Sequence, residues 1–235
     1  MEICIKNKND ENDCLTCVRR SPMFNLLSKE ELQIIKDNRI NIRYKAGEII
    51  QKQGTFMSHA ISVNAGLVKV YLEDEGHGNT ILRIVPPTNF IGGPGIYYDQ
   101  YYHFTVSALK DSSICLIDLT VFKNILDKNK AFAAEFNSDF SKNVLSTYNR
   151  LIKLTQNYLP GRMAYALLYL FEEVYENKKN IIPISKQDLA NLSAISRESS
   201  AKILRDFHHE GIIRFTNNEV ELLKPEMLQK MRSVG

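Results

Sequence analysis

The spacing of apolar residues changes period three times along the chain, and each change marks a segment of different architecture. Between Pro22 and Asn38, Phe24, Leu27, Leu32, Ile34 and Ile35 recur at helical spacing, and Ser28 with Glu31 makes a capping box. From Ile40 to Asp118 the period drops to two. Ile40, Ile42 and Tyr44 alternate, turns are expected at Lys45-Ala46-Gly47, Gln53-Gly54 and Ala65-Gly66, and Leu67 to Leu72 and Ile81 to Val85 supply further runs. Many short alternating runs predict a closed or double-sheet β structure. Beyond Leu119 the helical period returns, with Phe132, Phe136, Phe140, Val144, Leu145, Tyr148, Leu151, Ile152 and Leu154 forming a stripe that runs to Pro160-Gly161. The stripe predicts a helix of about 40 Å. One small β domain cannot cover such a face, so either a second copy of the helix or further intrachain packing must do so. Pro160-Gly161 is the expected stop and hinge.

The C-terminal pattern is a pair of short helices followed by a hairpin. Ser185 precedes Leu189, Ala190 and Leu192, with Asp188 placed to reach back to the first-turn amides. A small-residue turn at Ser193 and Ala194 leads to Ser196, which caps a second helix whose inward stripe is Ala201, Ile203, Leu204 and Phe207. Gly211 closes that helix, and Ile212, Ile213 and Phe215 alternate into a hairpin that turns at Asn217-Asn218. Two helices across a tight turn with a β-wing describe a winged helix-turn-helix. Arg197, Glu198, Ser199, Lys202 and Arg205 are left on its outer face. Arg197 can fork onto guanine, Glu198 can accept from cytosine, Lys202 can reach guanine or phosphate, and Ser185, Gln187 and Ser199 suit phosphate oxygens. From spacing alone, an ordinary solvated helix face fits the same residues.

Bulk properties narrow the alternatives. A chain of 235 residues with 44% hydrophobic content holds one large or two modest cores. A net charge of +3 excludes a histone-like protein, so any affinity for nucleic acid must come from local placement of charge. No apolar run approaches transmembrane length and the N-terminus has no hydrophobic signal core, so a cytoplasmic protein without a membrane partner is expected. The four cysteines are then reduced thiols, metal ligands or redox sensors. The chain carries no paired acid and base, nucleophile motif or phosphate-cradling glycine loop, and an enzyme is not expected.

The run S-R-E-S-S-A-K-I-L-R from Ser196, with I-S-K-Q-D-L-A before it and E-G-I-I after it, closely resembles the DNA-reading motif of the Crp/Fnr family of bacterial transcription regulators. Arg197 and Glu198 match the arginine and glutamate that open that family's recognition helix, while Lys202 stands where an arginine is more usual. The spacing of Gly47, Gly54 and Gly66, with Phe90-Ile91-Gly92 after them, is similar to the family's β-roll sensor. The resemblance implies an α+β chain in four parts: a cysteine-containing arm (1–21), a cyclic-nucleotide-binding-like β-roll or double-stranded jelly roll (22–126), a dimerisation helix (127–160) and a winged helix-turn-helix (161–235). It also implies a homodimer on a pseudo-palindromic promoter site, with RNA polymerase as a partner. In this picture Ser185, Gln187, Ser196, Arg197, Glu198, Ser199 and Lys202 form the DNA face.

The sensor departs from the nucleotide-binding pattern. Where cyclic-nucleotide binders carry a glutamate after F-I-G this chain has Gly93, and no Arg or Lys occurs between Arg83 and Lys110, which argues against cyclic AMP. Gly92, Gly93, Tyr97, Tyr98, Tyr102, His103, Phe104 and Thr105 are the candidate lining of an aromatic effector pocket, with plain core or surface as the other reading. Cys14 and Cys17 form a CxxC, and Cys17 and Cys14 with Cys115 match three of the cysteine positions that hold a [4Fe–4S] cluster in the oxygen-sensing branch. Cys4 would have to stand in for the fourth. Structural thiols, and a zinc site or disulfide switch, are the other readings of these cysteines. The expected function is therefore a sequence-specific regulator switched by an effector or redox state other than cyclic AMP. The competing reading is a β-roll ligand or redox module whose winged helix contacts protein.

Overall fold

The computed structural model describes residues 2–3, 17, 20–74, 78–216 and 218–233. The chain divides into two compact units, one of residues 1–73 and 83–144, the other of residues 74–82 and 145–235.

The first unit is built on a seven-stranded antiparallel sheet in the order β1-β2-β7-β4-β5, with β3 added to β7 and β6 to β4. The strands are β1 (Glu2–Ile3), β2 (Arg39–Tyr44), β3 (Ile49–Gln51), β4 (His59–Leu72), β5 (Thr80–Val85), β6 (Phe90–Ile91) and β7 (Thr105–Asp118). Both faces of the β4–β7 pair are largely buried, and Val63 stands opposite Ile114, Val68 opposite Ala108 and Val70 opposite Val106 in the core. One expected turn is absent. Ala65-Gly66 lies inside β4, which continues past it with shifts of register against β7 at Val63, Ala65 and Leu67. Gly66 takes φ +89, and a Cβ there would stand 2.3 Å from the Asp111 carbonyl oxygen, so glycine serves a bulge that lets β7 approach closely.

The predicted N-terminal helix is two pieces, a 3-10 turn at Pro22–Leu26 and helix α1 (Lys29–Asp37), because Ser28 between them is extended. Its capping box forms as the sequence implies: the Ser28 hydroxyl accepts the Glu31 amide at 3.2 Å and the Glu31 carboxylate accepts the Ser28 amide at 2.8 Å. Glu31 also accepts the Asn129 side-chain amide at 2.9 Å, which ties this cap to the joint between helices α2 (Leu119–Lys128) and α3 (Lys130–Gln156). Phe24, Phe90, Phe122, Phe132 and Phe136 form one aromatic cluster, with Phe90 stacked on Phe122 at 4.9 Å. Each ring pair adds about 0.5–1.5 kcal/mol beyond area burial, so the cluster anchors the first turns of α3 firmly to β6.

In the second unit, α4 (Leu159–Leu168) runs on into a π-helical turn at Tyr169–Val174 and packs against α5 (Lys186–Ser193), α6 (Arg197–His209) and α7 (Pro225–Ser233). Helix α3 stops at Gln156, ahead of the expected hinge, and Pro160 sits in the first turn of α4, where its missing N–H costs nothing. The wing is three-stranded, β8 (Ile181–Pro183) joining the predicted hairpin of β9 (Ile213–Thr216) and β10 (Glu219–Leu222) in the order β8-β10-β9. Met163, Leu167, Leu189, Leu204, Phe207, Ile213, Val220 and Leu228 close the core.

Candidate nucleic-acid interface

Helix α6 is positioned by its caps and by the face it buries. Ser196 accepts the Ser199 amide at 3.2 Å, while Ser200, Ile203, Leu204 and Phe207 turn into the core. Ala194, the residue that ends α5, takes a left-handed φ of +50, which breaks the helix before Ser196 caps α6. The residues left outward are Arg197, Glu198, Lys202 and Arg205, all exposed, with Glu198 and Lys202 one turn apart on one stripe.

The expected phosphate-contacting hydroxyls and amides divide into two groups. Ser185 is occupied with its own helix: its hydroxyl accepts the Asp188 amide at 3.0 Å and donates to the Asp188 carboxylate at 2.6 Å. Asp188 thus takes the serine hydroxyl, where a return to a first-turn amide was expected. Gln187 donates to the Asn191 side chain at 2.9 Å along the exposed side of α5. Ser196 donates to the Ser199 hydroxyl at 3.0 Å, which leaves Ser199 its own hydrogen to donate. Beside this face stands the wing, where Arg214 pairs with its cross-strand partner Glu221 at 2.5 Å and the Lys186 ammonium lies 5.4 Å from the Phe215 ring centre. The pairing of Lys186 with Phe215 is not legible in the sequence, because it joins α5 to β9 across nearly thirty residues.

A buried cation underlies the same helices. Arg150 of α3 is only 7% exposed, and its guanidinium donates to the carbonyls of Leu82, at 2.8 Å, and Leu192. Its Nε has no hydrogen-bond partner among the described residues. Burial pushes its pKa down, against the neighbouring Tyr169 and Tyr165. Leu192 lies in the last turn of α5, whose carbonyls lack helical partners and whose dipole favours a cation.

In the first unit the candidate effector residues take separate roles. Tyr102 is buried and donates its hydroxyl to the His59 carbonyl at 2.5 Å, and burial pushes its pKa far up. Thr105, wholly buried, accepts the Gln53 amide at 2.9 Å and donates to Glu73 at 2.7 Å, and Glu73 pairs with Lys52 at 2.5 Å. Gly93 abuts the buried Phe104 ring and Gly92 abuts Phe136, each with no more than 3.1 Å to spare for a Cβ. Tyr97 and Tyr98 are exposed, Tyr97 beneath the Lys123 ammonium and Tyr98 beside His103, whose ring meets Asp99 at 3.1 Å. Among the candidate residues themselves the one basic side chain is His103, held by Asp99, and none is an arginine.

Of the four cysteines, Cys4 and Cys14 lie outside the described residues. Cys17 is half-buried and Cys115 is buried, and both line one small, partly open pocket. Among the described residues no three metal-ligating side chains gather at one point, and no helix is long and apolar enough to cross a membrane.

Comparison with known proteins bears on both units. Residues 161–231 match the family described as the Crp-like helix-turn-helix domain, and residues 41–129 match the cyclic nucleotide-binding domain. The transcriptional regulator SdrP of Thermus thermophilus is 25% identical over 198 residues, which cover 82% of this chain and 94% of that protein. The crystal structure of a Crp/Fnr family regulator from Thermus thermophilus superposes with a TM-score of 0.68 at 26% identity, over 82% of this chain and 98% of that one. A putative Crp/Fnr regulator from Eubacterium rectale shares the fold with a TM-score of 0.74 at 23% identity, over 90% of this chain and 98% of that one.

Proposed function

The chain belongs to the Crp/Fnr family of DNA-binding transcription regulators, and we propose that it works as a homodimer on a pseudo-palindromic promoter site, switched by an effector or redox state other than cyclic AMP. The observation that carries the reading is the exposed stripe of Arg197, Glu198 and Lys202 on a helix whose opposite side is fully packed. In this reading the first turn of α6 enters the major groove, where Arg197 forks onto guanine and Glu198 accepts from cytosine. Ser199, Gln187, Lys186 of α5 and Arg214 of the wing serve the backbone, and Ser185 and Ser196 hold the helix ends instead of touching DNA.

Dimerisation is supported by the C-terminal half of α3. Leu145, Tyr148, Leu151 and Ile152 are 61%, 59%, 58% and 46% exposed at helical spacing, an apolar stripe that a second α3 would cover. Two copies answer the charge problem, since a chain of net charge +3 gains little affinity from its overall field. RNA polymerase is the further partner that this reading expects.

The test is selection of a binding sequence from random DNA, followed by anisotropy titration of Arg197→Ala/Glu198→Ala. Losing two base contacts should cost about 2–6 kcal/mol on the selected site. Tyr148→Glu/Leu151→Glu should sediment as a monomer and lose the palindromic preference. Unchanged affinity of the first variant would rule out α6 as the reading element.

A further inference from the structure

The pocket that holds Cys17 and Cys115 belongs to the first unit and has two walls. Cys17, Arg20 and Phe24 of the N-terminal segment form one wall. The other is a patch of the sheet. Cys115 of β7 lies directly opposite Asn41 of β2 and Ser62 of β4, so these three side chains share a face, and Arg39, two residues from Asn41, shares it too. Arg39, Ser62 and Cys115 accordingly line the same pocket as Cys17. The Arg39 guanidinium lies 3.8 Å from the Cys115 sulfur, the geometry of a weak N–H to sulfur hydrogen bond that strengthens when the sulfur is a thiolate.

We propose that Cys17 and Cys115 are a redox pair that a hydroperoxide converts to a disulfide, pinning the N-terminal segment onto β7. The half-buried Cys17 is the more accessible sulfur and meets the oxidant first. Its thiolate attacks the peroxide: an S–O bond forms, the O–O bond breaks, and the departing alkoxide takes up the proton that Cys17 gave away. The Cys115 thiolate, held by Arg39, then attacks the sulfenic sulfur. The S–S bond forms, the S–O bond breaks, and hydroxide leaves with the Cys115 proton as water. Two thiols and one hydroperoxide thus give one disulfide, one alcohol and one water. The chemistry concerns only these residues, whereas its use to control promoter binding rests on the function proposed above.

The bond is read directly, so its failure is distinct from any failure of DNA binding. Full-length protein is purified without oxygen, assayed for iron and sulfide, reduced, and treated with one equivalent of cumene hydroperoxide. Peptide mapping without reductant should show Cys17 linked to Cys115 within one chain. The same link should form with Cys4→Ser/Cys14→Ser, form several-fold more slowly with Arg39→Gln, and be absent with Cys115→Ser. Protein that keeps both thiols, links Cys17 to Cys14, links Cys115 only between chains, or carries iron and sulfide on these cysteines would overturn the proposal.

Discussion

Replacing Arg150 with methionine isolates what a buried cation does for the DNA-reading helices. Methionine keeps an unbranched stem of similar reach but removes the donors that meet the carbonyls of Leu82 and Leu192. A hydrogen bond from a charged donor is worth about 1.5–3 kcal/mol, and two are lost. Against this, the variant no longer buries a charge, and burial already opposes the guanidinium in the native protein. The carbonyls stay where they are, and the one at Leu192, in the last turn of α5, has no helical amide to turn to. A net loss of about 2–4 kcal/mol follows, a large share of the stability of a domain this size. The chain has no tryptophan, so tryptophan fluorescence cannot report it. Hydrogen exchange followed by mass spectrometry can. Amides of 186–209 should exchange about 30-fold faster or more, while those of β4 and β7 keep wild-type rates. Arg150→Lys should fall between, because one ammonium cannot span both carbonyls as a fork does. Native protection across α5 and α6 in the methionine variant would mean that the carbonyls find other donors, and the reasoning would fail.

Two further perturbations probe the first unit. Gly66→Ala forces an L-residue into φ +89 with its Cβ 2.3 Å from backbone and side-chain oxygens of β7, and should cost about 3 kcal/mol or more in urea unfolding; a loss below about 1 kcal/mol would show that the bulge is soft. Hydrogen bonds from Lys52 and Thr105 hold the Glu73 carboxyl below the usual carboxylate range. A depressed acid contributes stability that is complete above its unfolded pKa, about 4.3, and is lost as pH falls through its folded value. The thermal midpoint of the first unit should therefore drop on acidification below about pH 4.5, and Glu73→Gln should drop less over that window; equal slopes would remove Glu73 from the account.

Much of the fold was legible because its signals are local. The capping box at Ser28 and Glu31, the Ser196 cap and the left-handed Gly211 are each written within four residues, and each forms in the structure. The misread features share the opposite character. Gly66 has the look of a turn, and only the close approach of Ser112 on a distant strand makes it a bulge. Strand β8 is three residues long and Pro183 obscures it, so the wing gained a strand only once β10 supplied the partner register. Pro160 was read as a stop, yet proline suits a first turn equally well, and the chain had already left its helix at Gln156.

The same division runs through the functional residues. Arg197, Glu198 and Lys202 are five positions apart at most, and helical spacing alone puts them on one face. Thr105, Tyr102 and Phe104 are near in sequence, but only Thr105 enters β7, and each of the three meets a separate structural partner. Cys17, Arg39 and Cys115 meet only through the pairing of β2 with β7, which the sequence does not specify. Arg150 is the extreme case, because its partners are backbone carbonyls. Any residue at positions 82 and 192 offers the same oxygen, so the contact imposes no side-chain pattern there. A cation placed this way can hold the first helix of the DNA-reading pair through many changes of its neighbours, provided the backbone around Leu192 keeps its course.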